Sequence, residues 1–416
     1  MEVYVMINYQ DFFAERAQLM QASDIREAFK LTENADIISF AGGFPSAEYF
    51  PVQEVEEIVS ELLASSPGIA LQYGPTEGIA ELRCQVAELM SSKGVRCSGD
   101  QVLITSGSQQ ALDLIGRVFL NPGDLVLMET PGYIGALGAL KAYQPIFEGV
   151  PLDEDGLRVD VLAQRLEELA SEGKSPKLLY TVATFHNPTG VTMSMERRRH
   201  LVRLAEKYRF LIVEDNPYEE IFFEGEPVSS IKSLDTSGLV IYLGSFSKIF
   251  LPGLRVGWVT AERSMVEKLA IAKQSMDLCG STLGQKIVST AIKRGFFSRH
   301  IPALRFSYRK KRDVMLTSLE RFAPEGVVWT RPQGGFFVWL TLPERMDAKV
   351  ILSEAIHKKV AYVCGSGFHL DGGGHNTIRL AFSQNTEEQI REGVRRLCLV
   401  LKENLGGREV GVARAV

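Results

Sequence analysis

Between about residue 100 and residue 275, short apolar runs alternate with segments of helical periodicity, and this alternation constrains the fold more than any other feature. The runs are almost continuously apolar, as in strands that are buried on both faces of a sheet. A mostly parallel sheet covered by helices, and hence the α/β class, is therefore predicted. The predicted strands cover 101–105, 125–129, 178–183, 210–215 and 239–246, with a helix at 195–208.

The pattern changes after residue 295. A charged helical segment at 298–322 precedes strand-like runs at 334–340, 361–364 and 377–382 and a final helix at 386–401. These shorter alternations predict a second, smaller α+β domain. We therefore expect three regions: an N-terminal arm at 1–45 that packs on the small domain or on a partner subunit, a large domain at 46–297 and a small domain at 298–416.

Composition and charge exclude several classes of protein. The 416 residues are 45% apolar, and 46 basic against 51 acidic residues give a net charge of −5. These values are typical of a globular protein and give no reason to expect a nucleic-acid or membrane partner. The N-terminus lacks the basic region of a signal peptide, and the longest uncharged stretch, 178–195, contains a turn motif that a membrane helix would not carry.

The five cysteines are widely spaced, without a C-x-x-C motif, and the six histidines form no H-E-x-x-H motif. We therefore expect neither a disulfide framework nor a metal site. A reducing, cytoplasmic compartment suits this cysteine usage.

Polar residues follow several predicted strands, and the carboxyl ends of strands are where open α/β sheets bind ligands. Ser106 to Gln109 open a helix whose backbone N–H groups suit a phosphate, although Ser106 would serve equally as a plain N-cap. Tyr133 would stack on a flat ligand or pack in the core. Asn187 precedes a proline, which either aims its amide into a cleft or simply makes a turn. His186 suits local hydrogen bonding better than catalysis.

Charged residues follow the later strands. Asp215 ends an apolar strand, as a catalytic carboxylate or a structural cap would. Lys248 would form a Schiff base if its pKa fell well below the ordinary ~10.4, and otherwise it is a solvated surface residue. Arg379 lies inside an apolar strand, where a salt bridge and a substrate clamp are both open. Ser245, Ser247 and Arg255 complete a possible anion site around the lysine.

The order of these residues resembles that of the fold-type-I, pyridoxal-phosphate-dependent aminotransferases of class I/II. The resemblance runs from about residue 30 to 400 and covers Tyr73-Gly74, Ser106 to Gln109, Tyr133, Asn187-Pro-Thr-Gly190, Asp215-x-x-Tyr218, Ser245-x-Ser247-Lys248, Arg255 and Arg379. A closer similarity to the 2-aminoadipate (LysN-type) and kynurenine aminotransferases rests on Ser23-Asp-Ile-Arg26-Glu, Ser39-Phe-Ala-Gly-Gly43-Phe-Pro45, Leu71-Gln-Tyr-Gly-Pro-Thr-Glu-Gly78, Gly107-Ser-Gln-Gln-Ala-Leu-Asp113 and Leu243-Gly-Ser-Phe-Ser-Lys248.

The resemblance implies a role for each matching residue toward pyridoxal 5'-phosphate. Lys248 would bind the cofactor covalently and move the proton from the substrate Cα, and Asp215 would pair with the ring nitrogen. Tyr218 and Asn187 would hydrogen-bond the ring oxygen, while Tyr133 would stack on the ring. The expected phosphate ligands are Ser108, Gln109, Ser245, Ser247 and Arg255. Tyr73 would reach the phosphate of the neighbouring subunit, which implies a homodimer with shared sites.

The resemblance also implies the substrates. Arg379 would bind the α-carboxylate, helped by Asn187 and the Gly43 backbone. Arg26 would meet a distal carboxylate, which implies 2-aminoadipate or glutamate as donor and 2-oxoglutarate as acceptor; branched-chain and aromatic amino acids would enter if that arginine swings away. A surface arginine paired with Glu27 or Glu33 is the alternative reading of Arg26. His186 departs from the family pattern beside the site.

Three other functions share parts of this sequence pattern. A β-lyase or decarboxylase would keep the cofactor and the fold. A transcription regulator with an aminotransferase-like domain would need a DNA-binding domain, for which about 30 preceding residues are too few. A Ser-Lys acyl-transfer enzyme would use Ser245 and Lys248, but the S-D-N and K-T-G companion motifs are missing.

Overall fold

A computed structural model describes residues 8–18 and 36–406. In that part of the chain the strands are β1 (Ile38–Ser39), β2 (Val102–Thr105), β3 (Leu125–Thr130), β4 (Ile146–Asp153), β5 (Gly156–Leu157), β6 (Leu178–Thr181), β7 (Leu211–Asp215), β8 (Val240–Ser245), β9 (Gly257–Thr260), β10 (Val328–Trp329), β11 (Phe337–Thr341), β12 (Val360–Ala361), β13 (Val363–Cys364) and β14 (Thr377–Ala381).

The α-helices are α1 (Glu15–Gln18), α2 (Val52–Ser65), α3 (Pro67–Ala70), α4 (Ala80–Ser92), α5 (Gly107–Phe119), α6 (Ile134–Lys141), α7 (Val159–Ser171), α8 (Met195–Tyr208), α9 (Arg263–Asp277), α10 (Thr282–Lys293), α11 (Phe296–Phe322), α12 (Ala348–His357) and α13 (Glu387–Gly406). Within the described residues, no helix combines the length and the apolar character needed to cross a bilayer.

The main sheet has eight strands in the order β2-β9-β8-β7-β6-β3-β4-β5. The pairs β3–β4, β3–β6, β6–β7 and β7–β8 are parallel, and β9 runs antiparallel to both of its neighbours. The predicted α/β class with a mostly parallel sheet is therefore confirmed. The carboxyl ends of β2, β3, β6, β7 and β8 all lie at one edge, and the amino end of β9 lies there too.

Successive strand residues face opposite sides of this sheet, and both sets of side chains are apolar. Helices therefore cover both faces. In β6, Leu178 and Tyr180 pack with α5, α6 and α9, whereas Leu179 packs with α7 and α8. All of these strand residues are fully buried. The nearly continuous apolar runs that predicted the strands are thus explained by burial on both faces.

The chain after α10 forms a smaller antiparallel sheet with the order β10-β11-β14-β13. The predicted strand 361–364 is two short strands separated at Tyr362, whose hydroxyl donates to the Ala348 carbonyl at 2.7 Å. Residues 38 and 39 of β1 pair with β12, so this stretch of the N-terminal region packs on the smaller unit. The boundary expected at 297/298 falls within α11, and the three-region division stays a prediction.

Candidate active site

A cavity of about 320 Å³ opens at the strand edge described above. The predicted site residues that line it come from six different chain segments: Ser108, Gln109, Tyr133, Asn187, Asp215, Tyr218, Ser245, Ser247, Lys248 and Arg255. Parallel strands deliver these residues to one place because their carboxyl ends share an edge. Phe44, Val182, Pro217 and Pro252 also line the cavity, although the sequence assigned no role to any of them.

Lys248 follows β8 and points its amine into a crowded polar site. Its Nζ donates to the Gly43 carbonyl at 3.0 Å. Burial lowers the pKa of Lys248 to about 8, and the cations of Arg255 and Arg379 add to the effect. At pH 7 this pKa leaves about a tenth of the lysine as a free, nucleophilic amine, far more than the ordinary pKa of ~10.4 would leave.

Asp215 is the last residue of β7 and is buried in the cavity wall. The Tyr180 hydroxyl donates to its Oδ2 at 2.9 Å, while Oδ1 has no hydrogen-bond partner among the described residues. Burial raises the pKa of Asp215 to about 6, and the nearby hydroxyls of Tyr180 and Ser108 offset part of the rise. An unpartnered carboxylate oxygen of this kind suits a ligand N–H group.

The turn between β2 and α5, together with Arg255, forms a recess suited to an anion, which we call the phosphate corner. The Ser106 carbonyl accepts from Arg255 Nη2 at 3.1 Å. Gly107 has φ +75, and a Cβ there would lie 2.5 Å from the same Nη2 atom. The guanidinium thus packs directly on a glycine at the N-terminus of a helix. A cation, backbone N–H groups and the nearby serine hydroxyls make this corner suitable for a phosphate.

Two tyrosines of the cavity remain protonated at neutral pH. Burial raises the pKa of Tyr133 to about 12. Burial also raises the pKa of Tyr218, whose ring lies edge-on to Phe336 and Phe337. Both phenols can therefore act as hydrogen-bond donors toward a ligand.

Arg379 lies in the middle of β14 and is only 2% exposed. Its Nη1 donates to Asn187 Oδ1 at 2.9 Å, and its Nη2 donates to the Ala41 carbonyl at 2.7 Å. Both acceptors are neutral, and no ion pair joins Arg379 to a carboxylate in the described part of the chain. Burial lowers the pKa of Arg379 to about 10, so the group is still charged at neutral pH. A buried cation with neutral partners is prepared for an anionic ligand.

The remaining predicted residues lie elsewhere. Gly43 contributes its carbonyl to Lys248. Tyr73 is 78% exposed and does not line the cavity of its own chain. Arg26 lies outside the described residues. His186 is buried with its Nε2 3.1 Å from Glu129 Oε2, in the local hydrogen-bonding environment that the sequence favoured.

Sequence reasoning missed two residues that position the charged groups. Tyr180 orients Asp215, and the Ala41 carbonyl orients Arg379. The hydroxyl of Tyr180, in an otherwise apolar strand, was a signal that could have been used. A backbone carbonyl gives no signal in a sequence.

Residues 35–397 match the model of the family described as aminotransferase class I and II. The chain therefore belongs to this family, as the α/β sheet and the lysine-containing cavity at its edge indicated. An aromatic-amino-acid aminotransferase of Thermococcus litoralis is 50% identical over 400 residues, 96% of each chain. A Pyrococcus horikoshii kynurenine aminotransferase, solved with PMP, has a TM-score of 0.93 and 46% identity over 96% of this chain and 98% of that one.

A third relative is the α-aminoadipate aminotransferase LysN of Thermus thermophilus, solved with N-(5'-phosphopyridoxyl)-L-leucine. Its TM-score is 0.89, with 40% identity over 96% of this chain and 99% of that one. The protein is thus an aminotransferase, and its cofactor is pyridoxal phosphate. The cavity fits this group: Asp215 offers a free oxygen to a ring N–H, and Arg255 faces the corner suited to a phosphate.

Proposed function

We propose that the enzyme transfers an amino group between an L-amino acid and 2-oxoglutarate, with 2-aminoadipate, glutamate and aromatic amino acids as donors and branched-chain amino acids as further donors. The observation that carries the α-amino-acid part is Arg379, a buried cation with only neutral partners beside the reactive lysine. The named relatives, which act on aromatic amino acids, kynurenine or α-aminoadipate, support the choice of side chain.

The proposed roles follow from the chemistry of each side chain. When bound, pyridoxal phosphate supplies an electron sink for the charge that is left when the substrate loses its Cα proton. Asp215 keeps a proton on the ring nitrogen, and Tyr133 contacts the ring face. Lys248 would hold the cofactor covalently through Nζ and, once displaced by the substrate amine, its free amine would carry the proton from the substrate Cα to the cofactor's C4′ carbon.

The other residues bind and orient. Asn187 and Tyr218 donate hydrogen bonds to the ring oxygen. The phosphate ligands in this proposal are Ser108, Gln109, Ser245, Ser247 and Arg255. Arg379 holds the α-carboxylate in a two-pronged hydrogen bond, with Asn187 and the Gly43 backbone beside it. Arg26, on the segment outside the described residues, is proposed to meet the distal carboxylate of acidic substrates.

We further propose a homodimer with shared sites. Large apolar side chains are exposed in two segments, 69–73 and 271–278: Ile69, Leu71, Tyr73, Ile271, Met276 and Leu278. A hydrogen bond of 2.7 Å from Thr76 Oγ1, just after the first segment, to the Leu278 carbonyl joins the two. Exposed apolar surface of this kind is typical of a subunit interface. In this proposal a second copy binds this surface and brings its Tyr73 near the first turn of α5, which the surface adjoins through the contact of Gln110 with Asp277.

The test compares purified wild-type protein with Arg379→Met and Arg26→Gln. Addition of 2-aminoadipate or phenylalanine should bleach the visible cofactor band, and 2-oxoglutarate should restore it with formation of glutamate. Arg379→Met should lower kcat/KM for both donors about a hundredfold, because two charge-assisted hydrogen bonds are lost. Arg26→Gln should lower it for 2-aminoadipate alone.

Other results would contradict particular parts of the proposal. Release of ammonia or carbon dioxide without a 2-oxo acid would point to a lyase or decarboxylase. Equal effects of Arg26→Gln on both donors would remove the assigned role of that arginine. Unchanged kcat/KM in Arg379→Met would remove the carboxylate clamp.

A further inference from the structure

A buried lysine occupies an apolar position of helix α9. Val266, Leu269 and Ala270 of this helix pack against α5, and Lys273 continues the same stripe at the next helical turn. The Lys273 side chain is 0% exposed. Burial of an ammonium group costs free energy unless the group is paired, so the position calls for a specific partner.

That partner is Asp277, the last residue of α9. Lys273 Nζ donates to Asp277 Oδ1 at 2.9 Å, and the aspartate side chain is 25% exposed. A carboxylate at the C-terminus of a helix is disfavoured by the helix dipole. The contact with the buried Lys273 therefore holds the Asp277 side chain in place.

The second oxygen of Asp277 is linked through Gln110 to the turn after β2. Gln110 Nε2 donates to Asp277 Oδ2 at 2.7 Å, and Gln110 Oε1 accepts from the Ser106 backbone N–H at 2.8 Å. A backbone N–H can only donate, so the Gln110 amide presents its oxygen to Ser106 and its NH₂ to the Asp277 carboxylate. The two ends of this chain of contacts, Lys273 and the Ser106 N–H, are both donors, so Asp277 and Gln110 are held between them.

Ser106 is held on both sides of its backbone. Gln110 binds its N–H, and Arg255 Nη2 donates to its carbonyl at 3.1 Å. Ser106 is also the residue that precedes α5, whose first turn contains Ser108 and Gln109. A shift of this residue would move the helix N-terminus and the guanidinium together.

We propose that Lys273, Asp277 and Gln110 are positioning residues that hold the Ser106 turn in the geometry that binds the cofactor's phosphate. None of the three lines the cavity. The inference rests on the proposed function, which takes Arg255 and the first turn of α5 as phosphate ligands.

The experiment measures the dissociation constants of pyridoxal phosphate and of pyridoxal, which lacks the phosphate, by titration into the apo form of the full chain. Gln110→Met and Lys273→Met should weaken pyridoxal phosphate binding about tenfold, the effect of one lost charge-assisted contact, and pyridoxal binding less than about twofold. The control is Lys268→Met, the same substitution at an exposed position of the same helix, which should leave both constants unchanged.

Equal weakening of both ligands would overturn the inference, because it would indicate a merely structural role. Unchanged binding in both variants would overturn it too. Should Lys273→Met fail to fold, Gln110→Met at the half-buried end of the network decides the question alone. Arg255→Met distinguishes a failure of the positioning role from a failure of the proposed phosphate site. If Arg255→Met selectively weakens pyridoxal phosphate binding and Gln110→Met does not, only the positioning role is rejected. No selective loss in Arg255→Met rejects the phosphate corner itself.

Discussion

At the scale of single residues, the reactivity of Lys248 depends on groups that disfavour its charge. Burial and the cations of Arg255 and Arg379 lower the pKa of this lysine to about 8. We predict that the rate at which the apo protein reacts with pyridoxal rises with pH and levels off above about 8, since only the free amine attacks the aldehyde. Arg255→Met should raise the midpoint and slow the reaction at pH 7. Stopped-flow absorbance over a pH series measures both effects.

The matched control is Arg165→Met, since Arg165 lies on α7, pairs with Glu148 and does not line the cavity. Its midpoint should equal that of the wild type. A wild-type midpoint near the ordinary lysine value of ~10.4 would contradict the prediction. A midpoint that Arg255→Met leaves in place would show that burial alone sets the reactivity.

The sequence predicted the main residues of the site but not the partners that orient them. Lys248, Asp215 and Asn187 were predicted because each lies at or just after the end of an apolar strand, and the ends of parallel strands share an edge. The partners that orient them depend on which distant segments meet. The Gly43 carbonyl, 205 positions from Lys248, accepts from its amine. No local pattern predicts a contact of this range, and the family resemblance assigned Gly43 to the substrate only.

At the scale of elements, the turn from β2 into α5 places a glycine at positive φ beside the site. Gly107 has φ +75 and lies against Arg255, whereas Gly123 has φ +86 with open space around it. We predict that Gly107→Ala and Gly123→Ala each lower the free energy of unfolding by about 1 kcal/mol, the usual penalty for alanine at positive φ. Only Gly107→Ala should also weaken pyridoxal phosphate binding, by about tenfold, because the new methyl group displaces the guanidinium.

Thermal unfolding of the apo form and titration with the cofactor separate these two effects. Equal cofactor affinity in the two variants would contradict the close packing of Arg255 on the turn. Normal stability in Gly107→Ala would indicate that the turn adopts another backbone conformation when a side chain is present.

Elements with long, uniform patterns were predicted well. Helix α8 matches the expected 195–208, and β3, β7 and β8 begin or end within one residue of the expected runs. The elements that were missed have weak local signals. β9 has only four residues, and β4 contains Gly149 and Pro151, which are uncommon in strands. Pairing with neighbours supplies the stability that these sequences lack, so only the assembled sheet defines them.

At the scale of the whole molecule, the exposed Tyr73 gives a direct test of shared sites. If each site takes Lys248 from one subunit and Tyr73 from the other, a mixed dimer of Tyr73→Ala and Lys248→Ala has one intact site and one doubly altered site. Unfolding and refolding equal amounts together should then restore about a quarter of wild-type activity, because half of the randomly formed dimers are mixed and each has one working site. Each variant refolded alone should stay nearly inactive. A mixture with no more activity than the sum of its two components would place Tyr73 and Lys248 in the same chain's site or outside the site altogether.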